Sequence, residues 1–522
     1  MKPGATNGPR ARFTFGGAAA IGAVLLCMLL FALVRRHSYD EGQYVAATQL
    51  ALHGLPYRDF PYLQTPLQPM LFAPIAGLFA DHIFLALRAA NALCGTAAIV
   101  LLWSALRRAG AGERSALAAT ALFAMCEPFL FGAAVVRNDA LPVMLSCAAL
   151  VSLAGPPGRR AAFVGALAMG AAAAAKISYA LPAAALVAMA IGGPKALKRH
   201  LPLMPTLAGM AIPALFVAAL AAAAPGAFLY EVLIFPVEGP RQWYIANGES
   251  ALLSWRHPGN FVLFGLFGPA LAAVVAVAAA AWRERSVKPA THPRRIVFGG
   301  LLAASLIGAY LPNPSFRQYW IPALPPLFLC LGLAFERWPE LRSRRMTAVW
   351  ATFAVAGVAT SAVQLGAALW SGSQAVELDR TATRINALMD RAGVIGPVAG
   401  LDPDVFAGSR RFLDPRFASG RFLYRTYRQI TPHQTRAWHI ATFADTDMLA
   451  NDPPAAIITY RQTKSGTKNE RLNSWIEQSA AAAGFRSAGG IDNLRLWLRE
   501  SDRFQKAVGP LAAQRLGESR AP

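Results

Sequence analysis

Apolar residues run in long blocks through roughly the first 370 positions of this chain, separated by short polar stretches; polar and apolar residues mix evenly thereafter. Blocks near residues 16–34, 83–106, 115–135, 139–154, 161–176, 177–192, 201–224, 259–282, 296–311, 319–335 and 346–370 predict about eleven helices. Most come close to the about 17–25 residues that span a bilayer. The stretch from Pro66 to Ala80 is too short to span and holds Pro69 and Pro74, so it predicts an interfacial or re-entrant helix. Further on the periods shorten. Val394–Leu401, Ala455–Tyr460 and Leu494–Leu498 predict strands, and Leu472–Ala483 predicts a helix. The fold class is therefore a polytopic α-helical membrane protein, with a transmembrane module over residues 1–370 and a small soluble α/β domain over 371–522.

Composition agrees: of 522 residues, 55% are hydrophobic and 15% charged. The formal net charge of +22 would suggest nucleic acid in a soluble protein. Here the basic residues collect in every second loop, at Arg107-Arg108 and Arg114, Arg159-Arg160, Lys195 to Arg199, Arg283 to Arg295 and Arg337 to Arg345. That alternation marks cytoplasmic loops and argues against nucleic acid as a partner. With Lys2, Arg10 and Arg12 also cytoplasmic, the first block is an uncleaved helix and the chain ends outside. One outer face then gathers the loop 36–82, the Arg137-Asn138-Asp139 turn, the tip at Lys176, the loop 225–258 and Pro312 to Gln318. All five cysteines lie within apolar runs, which excludes a disulfide framework in the tail and offers no metal-ligand spacing.

The most informative polar feature on that face is the Asp40-Glu41 pair, directly after the first apolar run and Arg35-Arg36. Carboxylates at such a boundary can take a proton or hold a cation without burial in hydrocarbon; a solvated loop explains them equally well in isolation. Glu127, inside an apolar block and followed by Pro128, is a weaker candidate. His37, His53, His82 and His257 are scattered near boundaries and lack the paired spacing of a zinc site. In the tail, Arg410, Arg411, Arg416, Arg421, Arg425 and Arg428 alternate with Phe412, Phe417, Phe422, Tyr424 and Tyr427. Beside a bilayer this run suggests lipid headgroups or an acidic glycan, with a solvated basic loop as the plainer alternative.

The order of segments resembles bacterial membrane glycosyltransferases of the GT-C fold, in the superfamily of protein O-mannosyltransferases and lipid A aminoarabinose transferases. The resemblance rests on Tyr39-Asp40-Glu41-Gly42-Gln43-Tyr44, on Gly54-Leu55-Pro56-Tyr57-Arg58-Asp59-Phe60, and on Thr65-Pro66-Leu67 where the family has Pro-Pro-Leu. Arg137-Asn138-Asp139 stands in the place of the family's Arg-Pro-Asp. Lys176-Ile177-Ser178-Tyr179 resembles its hairpin tip, and Arg317 to Pro326 its proline-rich helix. Residues 14 to 370 are covered, the first loop most specifically.

Such enzymes move a sugar from a polyprenyl-phosphate donor to an acceptor lipid, glycan or protein hydroxyl outside the bacterial inner membrane, with inversion. The resemblance makes Asp40 the base, with Glu41 and Asp139 as its catalytic companions. A lipid phosphate leaves as a stable anion and needs cations, for which Arg58, Arg137, Lys176 and Arg317 are the candidates. Tyr39, Tyr57, Asp59 and Tyr319 complete the expected donor and acceptor loops. Each has a plainer role: Glu41 shaping the loop, Arg58 pairing with Asp59, Asp139 pairing with Arg137, and Lys176 or Arg317 anchoring headgroups. No cofactor is implied for certain; members of the superfamily differ in using a divalent cation. A transporter or flippase of lipid-linked sugars would instead place charges near the midplane on two related halves. A non-catalytic glycolipid-binding protein is the third alternative.

Overall fold

The computed structural model describes residues 15–253, 267–285, 293–314, 316–405, 411–426, 428–443, 445, 447–460, 468–491 and 493–499. The basic N-terminal residues Lys2, Arg10 and Arg12, together with His257, Lys288, Arg410, Tyr427 and the first part of the helix expected at 259–282, lie outside them.

Eight α-helices run between Phe15 and Ala175: α1 (Phe15–Val34), α2 (Glu41–Leu50), α3 (Leu67–Leu78), α4 (Ile83–Ala109), α5 (Glu113–Ala124), α6 (Glu127–Ala134), α7 (Ala140–Ala154) and α8 (Arg159–Ala175). Among the described residues five helices are long and apolar enough to cross a membrane: α1, the Ala80–Ala109 segment that contains α4, Leu203–Ala223, Arg317–Arg337 and Arg344–Ser371. Counting the bent pair α5 and α6 makes six. The chain is a multi-pass membrane protein. The remaining expected spans are shorter helices, such as the 15-residue α7 and the 13-residue Ala180–Gly192, or begin on arginines, as α8 does.

The block expected as one helix at 115–135 bends by 65° between α5 and α6. Pro128 near the start of α6 explains the break, because its ring lacks an amide donor and clashes with the preceding turn. The bend turns Glu127 into the first residue of a new helix. Backbones approach closely elsewhere through small residues: a Cβ on Gly209 would lie 2.2 Å from the Phe163 carbonyl, and one on Gly357 2.2 Å from that of Met125. Lipid offers no hydrophobic drive between helices, so such close packing is what joins them.

Three regions to which the sequence assigned no helix are helical, and one is the expected loop 225–258, which is helical from Pro225 to Ala246. Residues 41–50 form a helix, α2, of which every residue is buried. Residues 374–391 form another, whose buried Ala375, Asp379, Ala382, Asn386 and Met389 recur at helical spacing. Beyond it, four strands, β1 (Val398–Gly400), β2 (Ala456–Tyr460), β3 (Phe485–Ile491) and β4 (Leu494–Arg499), make a sheet in the order β1-β2-β4-β3. β1 pairs parallel with β2, and the other two pairings are antiparallel. β1 is shorter than expected and β3 was not anticipated, since Gly489 and Gly490 and a bulge interrupt its alternation. The helix Lys468–Ala482 matches the expected one and covers the sheet.

Candidate active site

The five segments expected to share a face do meet. The first of them enters α2 at Asp40, whose carboxylate is 30% exposed and pairs with Arg137. Glu41 turns the other way and is fully buried. It accepts from Arg88 Nε at 2.9 Å and Arg88 Nη2 at 2.6 Å, and from the backbone amides of Ser38 and Val136, both at 2.8 Å. Arg88 Nη1 donates to the carbonyls of Ala32 and Arg35 at 2.6 and 2.9 Å. Those carbonyls end α1, where no intrahelical donor reaches them. Both carboxylate oxygens of Glu41 are thus engaged inside the protein. That geometry fits the loop-shaping role for Glu41 rather than the expected catalytic one beside Asp40. Arg88 was overlooked; its signal was an arginine near the start of an otherwise apolar span.

Asp139 closes the linker between α6 and α7. Its carboxylate, 1% exposed, accepts from Arg137 Nε at 3.1 Å and pairs with Lys176 Nζ. Lys176 reaches it because α8 stops at Ala175 and the backbone turns extended. Side-chain amides from neighbouring segments hold the linker. Asn91 donates to the carbonyls of Val135 and Arg137 at 2.6 and 3.0 Å, Gln68 to that of Arg137 at 3.1 Å, and Asn138 to that of Ala175 at 3.2 Å. Asp139 therefore lies behind two cations and aims them, a different position from the open one of Asp40.

Arg317, 38% exposed, donates to Glu127 at 3.1 Å, and Glu127 also pairs with Arg35. The guanidinium carbons of Arg35, Arg137 and Arg317 lie 5.2, 5.5 and 4.1 Å from the centre of the Phe131 ring. Arg35, which closes the first apolar run, is buried in this cluster and also donates to Ser361 at 3.1 Å. Four cations (Arg35, Arg137, Lys176 and Arg317) meet three carboxylates (Asp40, Glu127 and Asp139). One positive charge is in excess, as an anion-binding site requires. Tyr319 borders the cluster, within electrostatic range of Arg137 and Asp139.

Other expected residues stand apart from it. Arg58 is 53% exposed and donates twice to Asp59, at 2.9 and 2.8 Å. The bond from Arg58 and one from the Leu55 amide hold the Asp59 carboxyl below its usual range. Tyr57 is buried with a left-handed backbone, and its hydroxyl donates to the Gln64 carbonyl at 2.6 Å. Arg58 thus takes its plainer role, and Tyr57 and Asp59 stabilise the loop. Tyr39 is exposed, with the Arg421 guanidinium 4.6 Å from its ring centre.

Among its described residues, the basic run of the tail is largely paired within the protein. Arg411 pairs with Asp390, Arg421 with Asp402, and Arg416 with Asp414 at 2.6 Å. Arg425 packs 4.9 Å over the Trp243 ring, and burial lowers its pKa to about 10. These arginines stitch the tail together and to the helix Phe235–Ala246, which corrects the expectation of a lipid or glycan surface for the described part of the run. The histidines act similarly: His37 pairs with Asp404, His82 with Asp379 at 2.9 Å, and His53 lies against Phe412. Among the described residues no group of three or more His, Cys, Asp or Glu converges. The carboxylates of Asp40, Glu127 and Asp139 are each met by cations.

No protein-family model and no curated protein matches the chain. Among solved structures it resembles the crystal structure of ArnT from Cupriavidus metallidurans bound to undecaprenyl phosphate. The TM-score is 0.59 at 15% identity, over 94% of this chain and 99% of that one. The apo state of the same protein gives 0.52 at 16% identity, over 92% and 97%. At such identity the likeness establishes the fold, which is the GT-C fold that the sequence motifs suggested.

Proposed function

We propose that the protein is an integral-membrane glycosyltransferase that moves a sugar from a polyprenyl-phosphate donor to an acceptor hydroxyl outside the bacterial plasma membrane. The observation that carries this is the cluster in which an open carboxylate, Asp40, sits against cations that outnumber the acids around them. The undecaprenyl phosphate bound by the ArnT structure of the same fold supports a lipid-phosphate ligand for that excess charge.

Asp40 draws the proton from the acceptor hydroxyl as its oxygen attacks the anomeric carbon. The bond to the phosphate oxygen breaks on the opposite face, so configuration inverts. Arg137, Lys176 and Arg317 take up the charge of the departing polyprenyl phosphate without a proton donor, because the phosphate diester of the donor releases a phosphate monoester, a weakly basic anion. Asp139 and Glu127 hold these cations in place, and Glu41 with Arg88 fixes the loop. The acceptor is a lipid, glycan or protein hydroxyl.

Purified protein in nanodiscs is the test. It should bind undecaprenyl phosphate and transfer sugar from an undecaprenyl-phosphate-linked donor, and Asp40→Asn should retain the binding and lose the transfer. Movement of the lipid-linked sugar across a reconstituted bilayer with its glycosidic bond intact would instead make the protein a flippase. Binding without turnover would make it a glycolipid-binding protein. Mass spectrometry of envelope glycolipids and glycoproteins from cells lacking the protein would name sugar and acceptor.

A further inference from the structure

The loop that carries Asp40 is gripped from the tail. His37, three residues before it, pairs with Asp404, which is itself 2% exposed. Tyr39 lies under Arg421, and Arg421 pairs with Asp402. Two residues after Asp40, Gly42 packs on the same turn: a Cβ there would stand 3.1 Å from Pro403 Cδ and 3.3 Å from Asp404 Oδ1. Further along α2, Gln49 donates to the Arg411 carbonyl at 3.0 Å, and Ser419 donates to the Pro61 carbonyl at 3.2 Å. The turn is stiff, since Pro403–Val405 is a short 3₁₀ helix closed by a bond from the Val405 amide to Asp402.

We propose that the Asp402–Val405 turn of the C-terminal segment is a positioning element for Asp40, clamping His37 on one side of it and Gly42 on the other. This rests on Asp40 being the base. Asp404 touches neither donor nor acceptor in this arrangement; it acts through the loop. A shift of about 1 Å at a reacting group can cost on the order of a hundredfold in rate, so an element outside the membrane module governs turnover by geometry alone.

The clamp has a pH dependence with a definite sign. Around His37 stand Asp404 and, farther off, Asp402 from the tail, Glu41 from α2 and Arg88 from α4, with the rings of Tyr39 and Phe84 beside it. Burial works against the imidazolium, but Asp404 overcomes it and raises the His37 pKa from 6.5 to about 9. A folded pKa above the unfolded one means the clamp is complete below pH 6.5 and is lost as pH rises through about 9.

The test is amide hydrogen exchange over residues 37–44 in the full chain in nanodiscs, corrected for intrinsic rates. Wild type should be protected at pH 6.5 and lose protection towards pH 9.5, while Asp404→Asn should be weakly protected at both. In a transfer assay from an undecaprenyl-phosphate-linked sugar, kcat of Asp404→Asn should fall by about 10- to 100-fold with undecaprenyl phosphate binding unchanged. Gly42→Ala, which crowds Pro403 and removes no charge, should lower kcat in the same direction and serves if Asp404→Asn fails to fold. Unchanged, pH-independent exchange in wild type and Asp404→Asn would overturn the clamp. Changed exchange without transfer by any form would leave the clamp standing and remove the glycosyltransferase reading instead.

Discussion

Arg88 meets Glu41 side-on, Nε to Oε2 at 2.9 Å and Nη2 to Oε1 at 2.6 Å, with neither side chain more than 1% exposed. Taking both charges out of water is costly, and the pair persists because other partners complete it. Glu41 also holds two backbone amides, and Arg88 two carbonyls at the end of α1. One ion pair thereby ties α1, α2, α4 and the linker before Asp139, and it sets where Asp40 points.

Arg88→Met should destabilise the protein by about 3–5 kcal/mol, because it leaves the Glu41 carboxylate buried and unpaired. Thermal unfolding in detergent measures this. Glu41→Gln with Arg88→Met should lose less than the sum of the single changes, as contacting residues do. Additive losses would show that the pair is not coupled.

Asp40→Asn should reduce sugar transfer by about 10²- to 10⁴-fold, the usual worth of a positioned base. Its affinity for undecaprenyl phosphate should hold or rise, since an anion beside Arg137 is removed. Near wild-type turnover would take the base role away from Asp40.

Lys176→Met and Arg317→Met should each weaken undecaprenyl phosphate binding by about tenfold or more, the worth of a charge-assisted hydrogen bond. Arg58→Met, exposed and paired with Asp59, should leave it unchanged. Isothermal titration separates these cases, and equal loss at all three positions would point to nonspecific attraction of the headgroup.

Glu231→Gln should make stability less dependent on pH. Glu231 lies in the π-helical segment Leu229–Ile234, fully buried, and accepts from the Tyr62 amide at 2.7 Å. Burial holds its carboxyl well above the ordinary value of 4.5. The folded state therefore keeps a proton that the unfolded chain releases, and wild-type stability falls as pH rises above 4.5. Glutamine is neutral throughout, so the gap between variant and wild type in thermal unfolding should widen from pH 5 to pH 8. A constant gap would mean that Glu231 is ionised in the fold.

Much of the site was legible because its parts are local. The Asp40-Glu41 pair, the Arg137 to Asp139 turn and the Lys176 tip each stand out against apolar neighbours, and loop charge alone put them on one face. Arg88 and Arg35 were harder to see. A single arginine at a helix end resembles a headgroup anchor until its partner, here Glu41 or Glu127, is found far away in sequence. The tail arginines misled for the same reason: a run of one sign looks like a surface when the carboxylates that neutralise it come from distant turns.

Hydropathy by itself established a helical membrane chain and a polar tail, since the cost of unsatisfied backbone in lipid leaves little choice. The division of labour between two adjacent acids was beyond its reach. Asp40 and Glu41 differ only in which way α2 faces them, one toward Arg137 and partial solvent, the other into a closed ring of donors. That direction is decided by contacts up to several hundred residues apart, from Arg88 to Asp404, and only the folded structure brings those charges together.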